Sequence, residues 1–549
     1  MKKSTNKSDR NKKIQNKKKD IIDKKMMKME EENKRLLAKK RRNFVLFFLI
    51  WISIFAIGLV RKTLQNDTFY TIEIGELILN NGIDMLDHFS FHSNLAYTYP
   101  HWLYDVFIYL CYMIGGYTAI HISSILILIL VLFAVFKTNM VVTDNNYSVS
   151  GFATIVCALA VGGFATARAQ LVSFLIFALE VLFIELFLRD GKKRYLFGLL
   201  ILSLLICNIH VATWPFYFIV YLPYLGEFVA SWIVSKIKIK KETKFIRFLK
   251  AKFVLEKNKR VGYLFITMLL SILTGFMTPL GDTPFTYSIN MIMSNAQEYV
   301  KEHQRLGWAE SPFTIIIAFE TIFLALFSKV KLRDLFMMCG LVLMSILSLR
   351  HLSLLALIGT ICFARIFSMF FESFEVKNDD MVFSFLGKKI VFVLCFVFVI
   401  VVSSLMLNHQ LKNEFVASDL YPVEAVKYIK ENIDVKEMRI FNEYNFGSYL
   451  LHHDIPVFID SRAELYTSEY SGFDYDIFDD YFYITNNYSE KFDFYDITHV
   501  LIYKKIGDDQ LSPLYVLLDK DSNYKTLYED DNFILYEKNK EVSYYVTYN

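Results

Sequence analysis

The feature that most constrains this chain is a series of long, almost uncharged apolar runs. A helix that crosses the hydrocarbon core of a bilayer takes about 20 mostly apolar residues, and about 17 can suffice. The first such run is Phe44–Val60. Ten more follow: Tyr117–Phe136, Ser150–Thr166, Leu171–Leu188, Tyr195–Ile209, Val211–Val234, Val261–Leu280, Phe313–Ser328, Leu335–Leu349, Leu352–Phe370 and Ile390–Leu407. These runs predict an all-α polytopic membrane bundle of about 11 transmembrane helices. Composition agrees, at 54% hydrophobic and 21% charged, more apolar and less charged than an average soluble domain. A soluble enzyme is excluded. So is a disulfide scaffold, because all 6 cysteines lie in or beside apolar runs and no CxxC pair occurs.

Charge sets the expected orientation. Residues 1–42 carry 18 Lys and Arg against 6 Asp and Glu, which reads as a basic cytoplasmic tail under the positive-inside rule. No aromatic residue is interleaved with these lysines, so no nucleic-acid partner is expected. The loop from Lys236 to Arg260 holds 11 basic and 2 acidic residues, and the loops Arg189–Arg194 and Lys329–Asp334 are also basic. A twelfth apolar stretch, Trp102–Gly116, carries Asp105 and ends in Gly115-Gly116. If it spans, all three basic loops fall outside. If it lies along the surface as an interfacial helix, all three fall inside with the N-terminus, and that arrangement is the one expected. Arg61-Lys62 then breaks the rule but is outweighed. The chain divides into the tail 1–42, a transmembrane domain 43–408 with an outer loop 61–116, and an extracytoplasmic domain 409–549.

This last region has 13 basic and 27 acidic residues and no apolar run. Tyr421–Asn432 and Ser512–Leu518 read as helices. Arg439–Phe441, Pro456–Ile459, Thr498–Tyr503 and Phe533–Tyr536 read as strands. That makes an α/β domain large enough for its own core. Asp460 and Arg462 at the end of "VFIDSR" read as a local ion pair.

The expected topology gathers polar residues on one membrane face. The first outer loop supplies Asp67, Asp87, His88 and His101, and later turns supply Arg168, His210, Glu310, Arg350 and His351. Helix ends prefer polar residues, and Arg and His snorkel there. Convergence from so many separate spans is nonetheless what a charged, lipid-linked substrate requires. Glu180, Glu185, Glu227 and Glu320 lie inside spans, where ionisable groups are either functional or paired.

Within the first outer loop, Asp67–Asn80 reads as a helix stopped by Asn81-Gly82, followed by the acidic turn Asp84–His88 and the aromatic "HWL" helix. This layout resembles the first extracytoplasmic loop of GT-C-type membrane glycosyltransferases, including protein O-mannosyltransferases and aminoarabinose transferases. It is most similar to bacterial GT-C-like membrane proteins. "TARAQLVSF", "CNIHVATWPFY", "TPLG", "WAESP", "LRHLSLLAL" and "IFNEYNFGSYLLHHDIPVFIDSRAELY" resemble later segments of the same family. The sequence departs from it at Ala169, where Pro is usual, and at Thr68, where many members have a second acid. The aminoarabinose transferases' Lys-Pro-Pro segment is absent.

The resemblance implies an enzyme of the cell envelope. It would move a sugar from a polyprenyl-phosphate-linked donor to a glycan, lipid or protein acceptor at the outer membrane face. A carboxylate would accept the acceptor's proton. Asp67 matches the family position for that base and is otherwise a helix N-cap; Asp87, with His88 beside it, is the second candidate. Arg168, Arg350, His351, His210, His101 and Glu310 are candidates for binding the lipid phosphate and sugar, because Arg suits phosphate bidentately. No cofactor is required. A divalent cation on Asp67, Asp87, His88 and Glu310 stays open, with no diagnostic ligand spacing. Two other readings stay open too, a flippase or transporter for lipid-linked saccharides and a non-catalytic relative that binds a glycan or protein.

Overall fold

The computed structural model describes residues 5–236, 251–293, 312–373, 389–507 and 510–539, with residues 244, 247, 300, 304, 305 and 382. Each of the eleven predicted runs falls on a helix. Among the described residues, six helices are long and apolar enough to cross a membrane: Lys24–Leu59, Trp102–Val142, Ala169–Asp190, Val211–Lys236, Leu349–Ser373 and Val393–Lys412. Four apolar helices are shorter, Tyr147–Gly162, Arg194–Ile209, Val261–Phe276 and Pro312–Phe327. The helix Leu332–Leu347 adds an amphipathic neighbour. The bundle core is built from Ile52, Val135, Cys157, Phe177, Ile206 and Ala356, all essentially solvent-free.

The helix Trp102–Val142 is two helices joined at a break. Gly115 and Gly116 leave helical geometry there, and Gly116 has φ +58°, a value open to glycine without a Cβ clash. The half before the break buries Tyr104 and Ile108 and exposes Phe107, Leu110, Met113 and Ile114. Those four sit at three- and four-residue spacing, so they form one apolar stripe.

The three basic segments meet at one end of the bundle. Arg260 donates to the carbonyls of Leu188 (2.7 Å) and Arg189 (2.8 Å). Residues Phe253–Val254 pair in parallel with Val330–Lys331. Beneath this junction lies a buried ionic network. Arg365 pairs with Glu185 and with Asp334 (2.6 Å), and Arg333 reaches Glu185 (3.4 Å), Glu227 (3.4 Å) and Glu256 (3.2 Å). Two of the acids noted inside spans, Glu185 and Glu227, are therefore paired. Glu180 is fully buried, and neither of its carboxylate oxygens has a hydrogen-bond partner.

The opposite end carries the C-terminal region. Its sheet has four strands, β1 (Ile440–Asn442), β2 (His499–Tyr503), β3 (Tyr524–Glu529) and β4 (Phe533–Lys538), in the order β1-β2-β4-β3. The β1–β2 pair is parallel and the other two are antiparallel. The helices Val423–Asn432 and Pro513–Leu518 lie where the periodicity predicts them. Pro456–Ile459 forms only isolated bridges through Val457, one of them to Ser90 of the first loop. Strand β3 escapes the sequence reading, because its residues alternate only weakly between buried and exposed.

This region does not stand alone. A single apolar core joins it to residues 64–120: Phe69 packs edge-on against Tyr421 (5.1 Å) and Tyr449 (5.2 Å). His452 bridges Glu73 (2.6 Å) and the Tyr117 hydroxyl (2.8 Å). Together the first loop and the C-terminal region form a roof over one end of the bundle.

Candidate active site

Under this roof, five separate segments bring their polar residues to one cavity. Its walls include Asp67, Tyr70, His101, Arg168, Ser173, His210, Arg350 and His351. It opens into a larger cleft of about 740 Å³, within the range of ligand sites. Asp67, Tyr70, His101, Arg168 and Arg350 line both spaces. The cleft's outer wall is C-terminal: Tyr421, Tyr444, Ser461, Glu464 and Tyr481.

Asp67 stands in the first turn of the helix Asn66–Asn81, while Gln65 occupies the cap position without a side-chain cap bond. Asp67 is thus not the N-cap. A carboxylate in a first turn is favoured by the helix dipole, and this one also meets Arg168, with Nη2 2.8 Å from Oδ2. Arg168 precedes the helix Ala169–Asp190 in extended conformation. The two segments are tied together around that pair: Thr68 donates to the Ala167 carbonyl (3.2 Å) and Thr166 to Gln65 (3.2 Å).

His101 and His210 are brought together from turns far apart in sequence, with ring centroids 4.8 Å apart. The Val211 amide donates to the Pro100 carbonyl (3.0 Å) and fixes that approach. Burial, reinforced by Arg350 and Arg168, pushes the His101 imidazole down to about 3. Burial likewise holds His210 well below its ordinary value, aided by His101, Arg350 and Arg168. Both rings are neutral at physiological pH. His210 Nδ1 meets Ser173 Oγ at 2.8 Å, and Nε2 faces Arg350 Nη2 at 3.5 Å. An arginine can only donate, so the consistent assignment leaves Nε2 as acceptor and places the proton on Nδ1.

Arg350 sits in the short 3₁₀ turn Leu349–His351. Gln170 donates to Ser353 (3.0 Å), and Ser353 to the Arg350 carbonyl (3.0 Å), which locks the turn against the Arg168 segment. The next residues, Leu355–Gly359, form a π-helical turn, an insertion frequent at functional sites. His351 lines the cavity, with its Nδ1 on the Met344 carbonyl (3.0 Å) and its ring against Phe216 (4.8 Å).

Two predicted residues are elsewhere. Asp87 has a fully buried side chain and pairs with Arg462 (2.7 Å), which also holds Asp460 (2.6 Å). Burial raises the Asp87 carboxyl, but Arg462 and the Ser90 donors more than offset this and hold it below its ordinary value. His88 is exposed and meets Asp84 at 2.7 Å. Neither joins Asp67 in the cavity. The reason is the hairpin-like turn at 84–97, which aims the Asp87 side chain into the C-terminal region. Glu310 lies outside the described residues. Among the described residues no three His, Cys, Asp or Glu side chains group as a metal site.

Sequence reasoning missed Tyr70, Ser173, Tyr287 and Glu464. Tyr70 lies three residues after Asp67, on the same helix face, and that spacing is a usable signal. Tyr287 donates to Glu464 (3.0 Å) at the cleft wall. That pair links residues far apart in sequence, so no local pattern announces it.

No protein-family profile matches the sequence, and no curated protein matches it. The structure is similar to a crystal structure of the Archaeoglobus fulgidus oligosaccharyltransferase, tethered through a disulfide bond to an acceptor peptide containing the NVT sequon. That likeness covers 83% of this chain and 68% of the other, with a TM-score of 0.52 and 9% identity. The chain therefore shares the GT-C-like fold of that structure, and it is a multi-pass membrane protein.

Proposed function

We propose that this GT-C-like protein is a membrane glycosyltransferase that moves a sugar from a polyprenyl-phosphate-linked donor to an acceptor at the outer face. The observation that carries the reading is the Asp67–Arg168 pair at the junction of the inner cavity and the outer cleft, both of which Arg350 also lines. Eleven crossings put that junction, the roof and the C-terminal region outside, and the basic end with the N-terminus inside.

The donor phosphate docks between Arg350 and Arg168, where guanidinium groups suit its geometry. Arg168 then shares its charge with the phosphate, which leaves Asp67 free to act as a base. The acceptor hydroxyl reaches Asp67 through the outer cleft. As its oxygen attacks the anomeric carbon, Asp67 accepts the proton and the bond to the phosphate oxygen breaks. The departing polyprenyl phosphate keeps that electron pair, and the two arginines stabilise its charge. Neutral His210 holds Arg350 in place without adding charge. Asp87 takes no part; it clamps the roof.

The test incubates purified full-length protein in nanodiscs with a panel of polyprenyl-phosphate sugars, with glycan, lipid and peptide acceptors. Mass spectrometry reads sugar transfer or release. Transfer from at least one donor is expected. Saturable binding of donors with no transfer to any acceptor would favour the non-catalytic alternative.

A further inference from the structure

We propose that the N-terminal tail is a dimerisation arm: the stretch Ile22–Lys40 of its helix pairs with the same stretch of a second copy as a parallel coiled coil. This pairing is independent of the chemistry under the roof. The helix Thr5–Leu59 runs unbroken from the tail into the first span. At about 1.5 Å of rise per residue, Met26 stands about 27 Å from Phe44, where the apolar run begins. That is well beyond the screening length of about 8 Å at physiological salt. An arm that continues the span therefore holds these residues away from the bilayer.

The arm nonetheless carries an apolar stripe. Ile22, Met26, Met29, Asn33, Leu36 and Lys40 follow one another at alternating steps of four and three residues. Those steps are the a and d positions of a coiled-coil heptad, with Met26, Asn33 and Lys40 at a and Ile22, Met29 and Leu36 at d. Met26, Met29 and Leu36 are 52–64% exposed.

Charge selects a second copy as the occupant. The tail's 18 basic residues against 6 acidic repel another tail along most of its length. The exception is Met26–Leu37, with 3 basic and 3 acidic residues, and the seam lies there. In a parallel pair Lys25, at g, faces the partner's Glu30, at e, and such pairs set partner and orientation. The sequence repeats the pattern one heptad earlier with Lys18 and Asp23. Glu30 also holds Lys34 on its own helix (3.3 Å), but that exposed bond is weak and does not block the second. Asn33 at a meets the partner's Asn33, and a polar residue at one a position specifies register at some cost in stability. Both copies enter the same membrane, so their arms run parallel. Anchoring also raises their effective concentration, which a seam of 19 residues needs. In the span the same face continues as Ile50 and Ile54, both exposed, with Phe396 against Phe47 between them (6.2 Å). The bundle thus leaves this edge of the helix open.

The test is disulfide trapping in membranes that hold the full-length protein, oxidised with copper phenanthroline and read on non-reducing gels. Met29→Cys stands at d, where facing positions of a parallel pair come within disulfide range. Glu31→Cys stands at f, which points away. Wild type, with its own 6 cysteines, sets the background. Covalent homodimer at least tenfold above that background is expected for Met29→Cys, and background alone for Glu31→Cys. In a second measurement, two differently tagged copies are co-expressed and one is captured. Met29→Glu in both should cut recovery of the other at least fivefold, while Met27→Glu, an exposed methionine at b, should leave it unchanged. Equal trapping of both cysteine variants, or equal loss in both glutamate variants, would mean a helix lying on lipid or a non-specific surface and would overturn the proposal. Trapping of Met29→Cys only to a protein of another mass would overturn the second copy as occupant.

Discussion

Asp67 and Arg168 are each only partly exposed and hold one another at 2.8 Å. On the proposed mechanism, the donor phosphate competes with Asp67 for Arg168. Arg168→Lys should therefore reduce kcat and raise the donor KM together, because Lys cannot share a planar fork between two anions. Steady-state kinetics on a donor series would show it; a change in KM alone would limit Arg168 to binding. The paired histidines make a prediction about pH. Unfolded, His101 takes up a proton near its ordinary pKa of 6.5; folded, it does so only near 3. The unfolded state thus binds more protons between those values, and stability falls as pH drops through that window. His101→Gln should flatten the loss of thermal stability across that window, from its ordinary value of 6.5 downward. An unchanged slope would mean that His101 is solvated.

At the scale of elements, the helix Asn66–Asn81 is placed by one close approach. A Cβ on Gly75 would stand 2.2 Å from the Asp105 carbonyl oxygen and 2.6 Å from Tyr109 Cβ. Gly75→Ala should thus push this helix off its neighbour and destabilise the protein by about 1–3 kcal/mol, read as a lowered melting temperature. It should also cut activity, since Asp67 rides on the same helix. Much of this level was legible in the sequence. The helix and its Asn81-Gly82 stop follow from local pattern, and Gly82 has φ +85°. Gly115-Gly116 marked a break that the backbone shows. The helices at the apolar runs were readable because each run carries its own signal. Asp87 was not readable. Its neighbour in sequence is a histidine, but its partner in space, Arg462, is 375 residues away, and only tertiary structure unites them. Asp460 and Arg462 form the local pair their spacing suggests; the third member of the cluster carries no sequence cue.

Over the whole molecule, two ionic clusters brace opposite ends of the bundle. At the basic end, Arg333 and Arg365 tie Glu185, Glu227 and Asp334 together. At the roof, Asp87, Arg462 and Asp460 fasten the first loop to the C-terminal region. Removing Asp87 leaves Arg462 paired with Asp460 but cuts the tie to the first loop, losing a charged hydrogen bond worth roughly 1.5–3 kcal/mol. Asp87→Ala should thus lower the melting temperature sharply and speed proteolysis of the C-terminal region. Any activity lost should scale with the fraction unfolded; a stable Asp87→Ala protein without activity would return Asp87 to the mechanism. The described part of the C-terminal region shares a core with the first loop, where Phe69 packs among Tyr421 and Tyr449. Sugar transfer at this roofed junction, with Asp67 as the base, is the central claim. Its most direct test is a single-turnover comparison of wild type and Asp67→Asn in nanodiscs, on a donor that the wild type uses, with donor binding measured in parallel. Transfer slowed by roughly 10²–10⁴-fold, with donor affinity and melting temperature preserved, is the predicted result. Transfer at the wild-type rate in Asp67→Asn would contradict it.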